Sequence, residues 1–96
     1  MNHQLPTIAT RLLQARLDRG LTRNQACHTI GYTFDTYALI ETGRRLPKPI
    51  ELPSLALWLC NGEGGIERFL ETLRNLRKQL ATERGHASHA TASVAP

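Results

Sequence analysis

Apolar positions recur at helical spacing along most of the chain, and the breaks between them fall on glycine or proline. In "IATRLLQARLDR", residues 8 to 19, Ile8, Leu12, Leu13, Ala15 and Leu17 lie mostly on one stripe with arginines opposite, which predicts an amphipathic helix. Thr7 is placed to cap this helix and Gly20 to stop it. In "LTRNQACHTIG", Thr22 is an N-cap with Gln25 three residues on as its capping-box partner, and Ala26, Cys27 and Ile30 form the inner face. Gly31 ends this second helix, because glycine reaches positive φ cheaply. Thr33 offers the next N-cap, so two short helices are joined by about three residues around a glycine, the sequence form of a helix-turn-helix.

The third helix lies in "TIGYTFDTYALIETG". Tyr37 and Ile40 should face inward, leaving Asp35, Thr36, Leu39 and Thr42 outward, and Gly43 is its stop. Phe34, Asp35, Thr36 and Leu39 have no place in a core, a mixture that calls for a ligand. The loop "RRLPKP" is basic and stiffened by proline. Leu52, Leu55, Ala56 and Leu59 then mark a fourth helix to about Cys60, with an irregular start because Pro53 is tolerable only near a first turn. "NGEGG" breaks the chain again. Beyond it Ile66, Phe69, Leu73, Leu76 and Leu80 step by three and four, with Leu70 widening the seam. Four helices can already close a core, so this further stripe is expected to meet a second subunit; packing on its own domain is the other reading. The tail "GHASHATASVAP" has no periodicity and should be loose.

Composition narrows the picture. The 96 residues suffice for one domain, and 41% apolar content is globular. No apolar run approaches the roughly 20 residues of a membrane span, and "MNHQLPTIAT" lacks a secretory signal. Two cysteines make no disulfide framework, so a reduced, cytoplasmic protein is expected. The net charge is +4, and all of the excess lies in residues 1 to 50, which hold seven Lys or Arg against three Asp or Glu. The second half holds five of each. Such asymmetry favours a polyanionic partner, nucleic acid first and a membrane surface second.

The ordered pieces resemble a known family. Helix, Gly20-Leu21-Thr22, helix, Gly31, helix, Ile40-Glu41-x-Gly43, Arg44 and Arg45, Pro47 and a Leu52/Leu55/Ala56/Leu59 helix look like the Cro/C1-type (XRE) helix-turn-helix regulators over residues 8 to 60. The chain departs from the family pattern at Arg23, usually Gln, at Ala26 and Cys27, and at Tyr32 and Tyr37. The resemblance implies an all-α, five-helix lambda-repressor-like fold, with the DNA-binding domain at residues 7–61. A C-terminal helix for dimerisation would occupy 64–84 and a flexible tail 85–96. Its function would be sequence-specific binding of a palindromic double-stranded DNA operator by a homodimer, as a phage- or plasmid-type repressor, cytoplasmic and associated with the nucleoid when bound. The same fold also serves as a protein-binding module, such as an antitoxin or co-regulator.

Residue roles follow from that likeness and from groove chemistry. Phe34, Asp35, Thr36, Leu39 and Thr42 are the expected base contacts: Phe and Leu meet thymine methyls, Asp accepts from cytosine N4, and Thr reaches base or phosphate. Phe34 packed on Tyr37 or Arg23, and Asp35 at a helix N-terminus, are equally good structural readings. Arg23, Thr33, Arg44, Arg45 and Lys48 are the expected phosphate contacts, with Arg11 or Arg19 in support. By resemblance Arg16 and Glu41 form a structural ion pair. Ile66, Phe69, Leu70, Leu73, Leu76 and Leu80 are assigned to the dimer interface. An enzyme would need a convergent polar constellation, and none is legible. Cys27 and His28 point to different helix faces, and His86 and His89 fall in the tail without metal-ligand spacing. No metal, cofactor, membrane or small-molecule ligand is expected.

Overall fold

The computed structural model describes residues 7 to 94, with side chains to residue 85. Its described elements are all helical: α1 (Ile8–Asp18), α2 (Arg23–Ile30), α3 (Phe34–Glu41), a 3-10 turn (Pro49–Glu51), α4 (Leu52–Cys60) and α5 (Gly65–Val94). Each of the first three helices opens on a threonine whose hydroxyl accepts from the third backbone N–H: Thr7 from Thr10, Thr22 from Gln25 and Thr33 from Thr36. Thr22 and Gln25 complete a reciprocal capping box. Gly31 closes α2 at φ +102°, a left-handed conformation that a side chain would strain, and lets the chain turn into Thr33 within two residues. The 3-10 turn absorbs Pro49 and delivers the chain to α4 with Pro53 in its first turn, the irregular start that the sequence predicts.

One core joins all five helices. Ile8 and Leu12 from α1, Ala26 and Cys27 from α2, Tyr37 and Ile40 from α3, and Leu52, Leu55, Ala56 and Trp58 from α4 are buried together. Leu17 is exposed, contrary to its place in the predicted stripe. It follows Ile8 by nine residues, which at about 100° per residue puts it on the opposite side of α1. Arg19, at the end of α1, stacks over the Trp58 ring at 4.2 Å and donates to the Leu59 carbonyl at 3.2 Å. That contact ties α1 to α4 and gives Arg19 a packing role.

The largest departure concerns α5. Leu73, Leu76 and Leu80, expected between two subunits, are buried in the chain's own core, and α4 against α5 is the most extensive packing pair. The reason is geometric. The first four helices leave α4 with an open apolar side, and the "NGEGG" turn, with Asn61, Gly62, Gly64 and Gly65 all at positive φ, folds α5 back onto it. Phe69 is half-buried against the same core, whereas Ile66 and Leu70 stay exposed. Past its midpoint α5 is tied to α1: Glu83 accepts from the Ile8 backbone N–H at 2.8 Å and from Gln79 at 3.0 Å. This places a carboxylate at the positive end of α1, which has no acidic residue in its first turn. The tail expected to be loose from Gly85 continues as helix to Val94, consistent with Ala87, Ala90 and Ala92 and with no proline before Pro96; residues 95 and 96 lie outside the described ones.

Burial of Leu76 inside one chain has a direct consequence. Leu76→Ala should cost about 2–5 kcal/mol of unfolding free energy in urea. Leu73→Glu with Leu76→Glu should abolish the cooperative transition rather than yield a folded monomer, as circular dichroism would report.

Candidate nucleic-acid interface

The candidate interface is the outer face of α3 with the arginines beside it, and its orientation is set from below. Glu41 ends α3 with its side chain only 1% exposed. A buried carboxylate must be matched by donors, and three converge on it. Arg16 of α1 donates through Nε to Oε2 at 2.7 Å and through Nη2 to Oε1 at 3.2 Å. Arg23 of α2 donates through Nε to Oε1 at 2.8 Å, and the Tyr37 hydroxyl donates to Oε2 at 2.6 Å. Arg16 also donates through Nη1 to the Leu21 carbonyl at 2.9 Å, fixing the turn between α1 and α2. The Arg16–Glu41 pair implied by resemblance is therefore present, and it is one edge of a four-residue network.

The network sets protonation. Burial alone would raise the Glu41 pKa, but hydrogen bonds from Arg16, Tyr37 and Arg23 outweigh it and hold the carboxyl below its ordinary range. The bond to Glu41 holds Arg16 still more firmly in its charged form, against the opposing effect of burial. Burial, then the adjacent Glu41, pushes the Tyr37 hydroxyl above the ordinary phenol range, so it remains a donor.

The backbone secures the same C-terminal end of α3. Gly43, at φ +79°, follows the C-cap Thr42, its N–H donates to the Ile40 carbonyl at 3.1 Å, and Arg44 N–H donates to Leu39 carbonyl at 2.9 Å. This paired return is a Schellman motif, and it places Arg44 and Arg45 directly after the helix. The basic loop is held in turn by Glu51, whose Oε1 accepts from the Lys48 backbone N–H at 2.8 Å and from the Tyr32 hydroxyl at 3.1 Å. Burial and the neighbouring Glu51 raise the Tyr32 pKa, so this hydroxyl also stays a donor, linking the α2–α3 turn to the loop.

On that frame Phe34, Asp35, Leu39 and Thr42 are exposed and Thr36 is half-exposed. Arg23, Asp35, Ala38, Leu39, Thr42 and Arg44 line one shallow groove of about 450 Å³. Four of the five expected base contacts are thus exposed, three of them in the groove, beside two expected phosphate contacts. Several side chains are already partly committed. Arg23 was expected to serve phosphate alone, yet its Nε belongs to Glu41; its side chain remains 41% exposed. The Thr33 oxygen accepts in the helix cap, which leaves its proton to give. Thr42 gives its proton to the Ala38 carbonyl at 2.8 Å, which leaves its oxygen to accept. Sequence reasoning missed the Tyr37–Glu41 bond and the Arg23 share of the network. The spacing of Tyr37 and Glu41, one helical turn apart, was the available signal for the first. Arg44 and Lys48 are exposed and Arg45 is half-buried.

Comparison with protein-family models, with characterised proteins and with solved structures gives no match in any of the three. Among the described residues no three His, Cys, Asp or Glu side chains are placed to share a metal ion, and no helix is long and apolar enough to cross a membrane.

The Glu41 network should show in acid. With a folded pKa below the unfolded one, its stabilisation is present above the unfolded carboxylate value, about 4.3, and is lost as pH falls through the lower folded value. Glu41→Gln should lower unfolding free energy at neutral pH by about 3 kcal/mol. It should also flatten the loss of stability below about pH 4, measured by urea unfolding across pH.

Proposed function

We propose that this chain is a sequence-specific double-stranded DNA-binding regulator of the Cro/C1-type helix-turn-helix kind, a binding protein without enzymatic chemistry. It occupies a palindromic operator as a homodimer and represses by occupying promoter DNA. The observation that carries the reading is the outer face of α3. A helix of eight residues is capped at both ends and anchored through Tyr37, Ile40 and Glu41, yet it exposes Phe34, Asp35 and Leu39, the last two in a groove shared with Arg23 and Arg44. The major groove admits one such helix, whose N-terminal residues meet base edges while flanking cations and helix caps meet phosphate. Asp35 accepts from cytosine N4, Phe34 and Leu39 cover thymine methyls, and the free Thr42 oxygen accepts from a base amino group. Thr33, Arg44, Arg45 and Lys48 neutralise or bind phosphates, and Arg23 reaches the same backbone from a fixed position. The positive excess of residues 1 to 50 supports the same partner.

Selection from a random duplex pool tests the reading. The wild type should enrich a twofold-related sequence with half-sites about one helical turn apart. Asp35→Ala should leave thermal stability nearly unchanged and relax one base pair per half-site by roughly 1–3 kcal/mol. Phe34→Ala should do the same at a neighbouring pair. If all three proteins enrich the same sequence, these side chains do not read bases; if the wild type enriches none, the protein-binding alternative, an antitoxin or co-regulator, takes its place.

Affinity should separate from specificity in the basic loop. Arg44→Ala with Arg45→Ala should weaken binding to every sequence alike and flatten the slope of log K against log salt by about 2 per subunit, read from titrations at several salt concentrations.

A further inference from the structure

A hydrogen bond between Tyr32 and Glu51 joins two segments that flank α3 at its opposite ends. Tyr32 immediately precedes Thr33, the N-cap of α3 and an expected phosphate contact. Its backbone N–H donates to the Cys27 carbonyl at 2.9 Å, so its main chain is fixed to the end of α2. Its ring packs, half-buried, against the core. Its hydroxyl donates to Glu51 Oε1 at 3.1 Å, and the same oxygen accepts from the Lys48 backbone N–H at 2.8 Å. The Glu51 N–H in turn donates to the Lys48 carbonyl at 2.9 Å. Both backbone groups of Lys48 are therefore tied to Glu51, and Pro47 before it is buried.

Charge makes Glu51 an unexpected residue in this loop. It is the only acid between Glu41 and Glu63, and Arg44, Arg45 and Lys48 precede it within seven residues. The ion pairs among the described residues all involve Glu41, so Glu51 makes no direct pair with these cations. Burial and then Glu51 raise the Tyr32 pKa while Arg45 opposes them, which brings the Arg45 charge near the hydrogen bond. On a surface that holds phosphate, a carboxylate in this place is repulsive. What it supplies instead is one fixed acceptor shared by the turn before α3 and the loop after it.

We propose that Tyr32 and Glu51 are positioning residues for duplex DNA: their hydrogen bond fixes the spacing between Thr33 and the Arg44, Arg45 and Lys48 loop. Neither residue touches the nucleic acid. A duplex presents its phosphates at set distances, and phosphate contacts fix the register of a protein on it. Donors beyond the two ends of α3 engage one duplex together only when their separation is held. A loop without this bond has to order its cations during binding, which costs backbone and rotamer entropy. A single strand is different, because it bends to suit whatever spacing the protein offers. Tyr32 is one of the positions at which the chain departs from the pattern it resembles, so this link belongs to the chain itself. The proposal rests on the operator-binding reading and deepens it.

Equilibrium binding at low salt to a mixed-sequence duplex, and to a single strand of the same length, tests the proposal without a known operator. Tyr32→Phe removes one hydroxyl and keeps the ring. It should weaken duplex binding on the order of tenfold and leave single-strand binding unchanged. A variant that merely loosens the fold weakens both. Without DNA, NMR relaxation should show the backbone of residues 44 to 48 losing order in Tyr32→Phe while α3 keeps its own. Glu51→Ala should also weaken duplex binding, although it removes a charge that repels phosphate; electrostatics alone gives the opposite sign. Glu51→Gln keeps the acceptor and drops the charge, and should bind duplex at least as tightly as the wild type. Unchanged duplex affinity in Tyr32→Phe, an equal loss on duplex and single strand, or tighter binding by Glu51→Ala overturns the proposal alone. A wild type that binds no duplex overturns it together with the operator-binding reading.

Discussion

A single buried carboxylate determines how the first three helices meet. Glu41 is enclosed by the core, so its charge is tolerated only because Arg16, Arg23 and Tyr37 donate to it from α1, α2 and its own helix. The hydrophobic contacts among Leu12, Ala26, Tyr37 and Ile40 drive collapse, but apolar contacts are not directional. The guanidinium of Arg16 is: its planar fork meets both oxygens of Glu41 and a third N–H takes the Leu21 carbonyl. Rotating α3 about its axis would break these bonds before it disturbed much apolar area. The direction in which Phe34, Asp35 and Leu39 point is therefore inherited from Glu41, seven residues or fewer away on the same rigid helix.

Much of this was legible in the sequence because its signals are local. Caps at Thr7, Thr22 and Thr33, the glycine after α2 and the irregular entry to α4 each depend on a few neighbouring residues, and each is present. The outward face of α3 followed from the inward pair Tyr37 and Ile40. What escaped depends on distant parts of the chain. Periodicity identifies an apolar stripe without naming its partner, so Leu73, Leu76 and Leu80 were expected in a subunit seam; the left-handed residues of the turn between α4 and α5 bring them into the chain's own core. Likewise Glu83 is one more surface charge in sequence and an anchor for the first N–H of α1 in the fold. Arg19 beside Trp58 is a contact between residues 39 apart, and no spacing rule reaches that far.

In the proposed DNA-binding reading, Arg23 would serve structure and recognition at once. Its Nε serves Glu41, whereas the remainder of the guanidinium lies at the edge of the groove shared with Asp35 and Arg44. A free surface arginine would lose rotamer entropy when it met a ligand. One already held at Nε has given up most of that freedom on folding, so in the proposed DNA complex a phosphate or base edge would meet a pre-positioned donor. A lysine could supply the charge, but its three N–H donors radiate from one nitrogen on a flexible stem and do not present the rigid planar fork of a guanidinium. The helix-turn-helix therefore spends a buried carboxylate on more than cohesion: the ion pair that fixes the angle of α3 also fixes the cation beside it, and any loosening of Glu41 would blur both together.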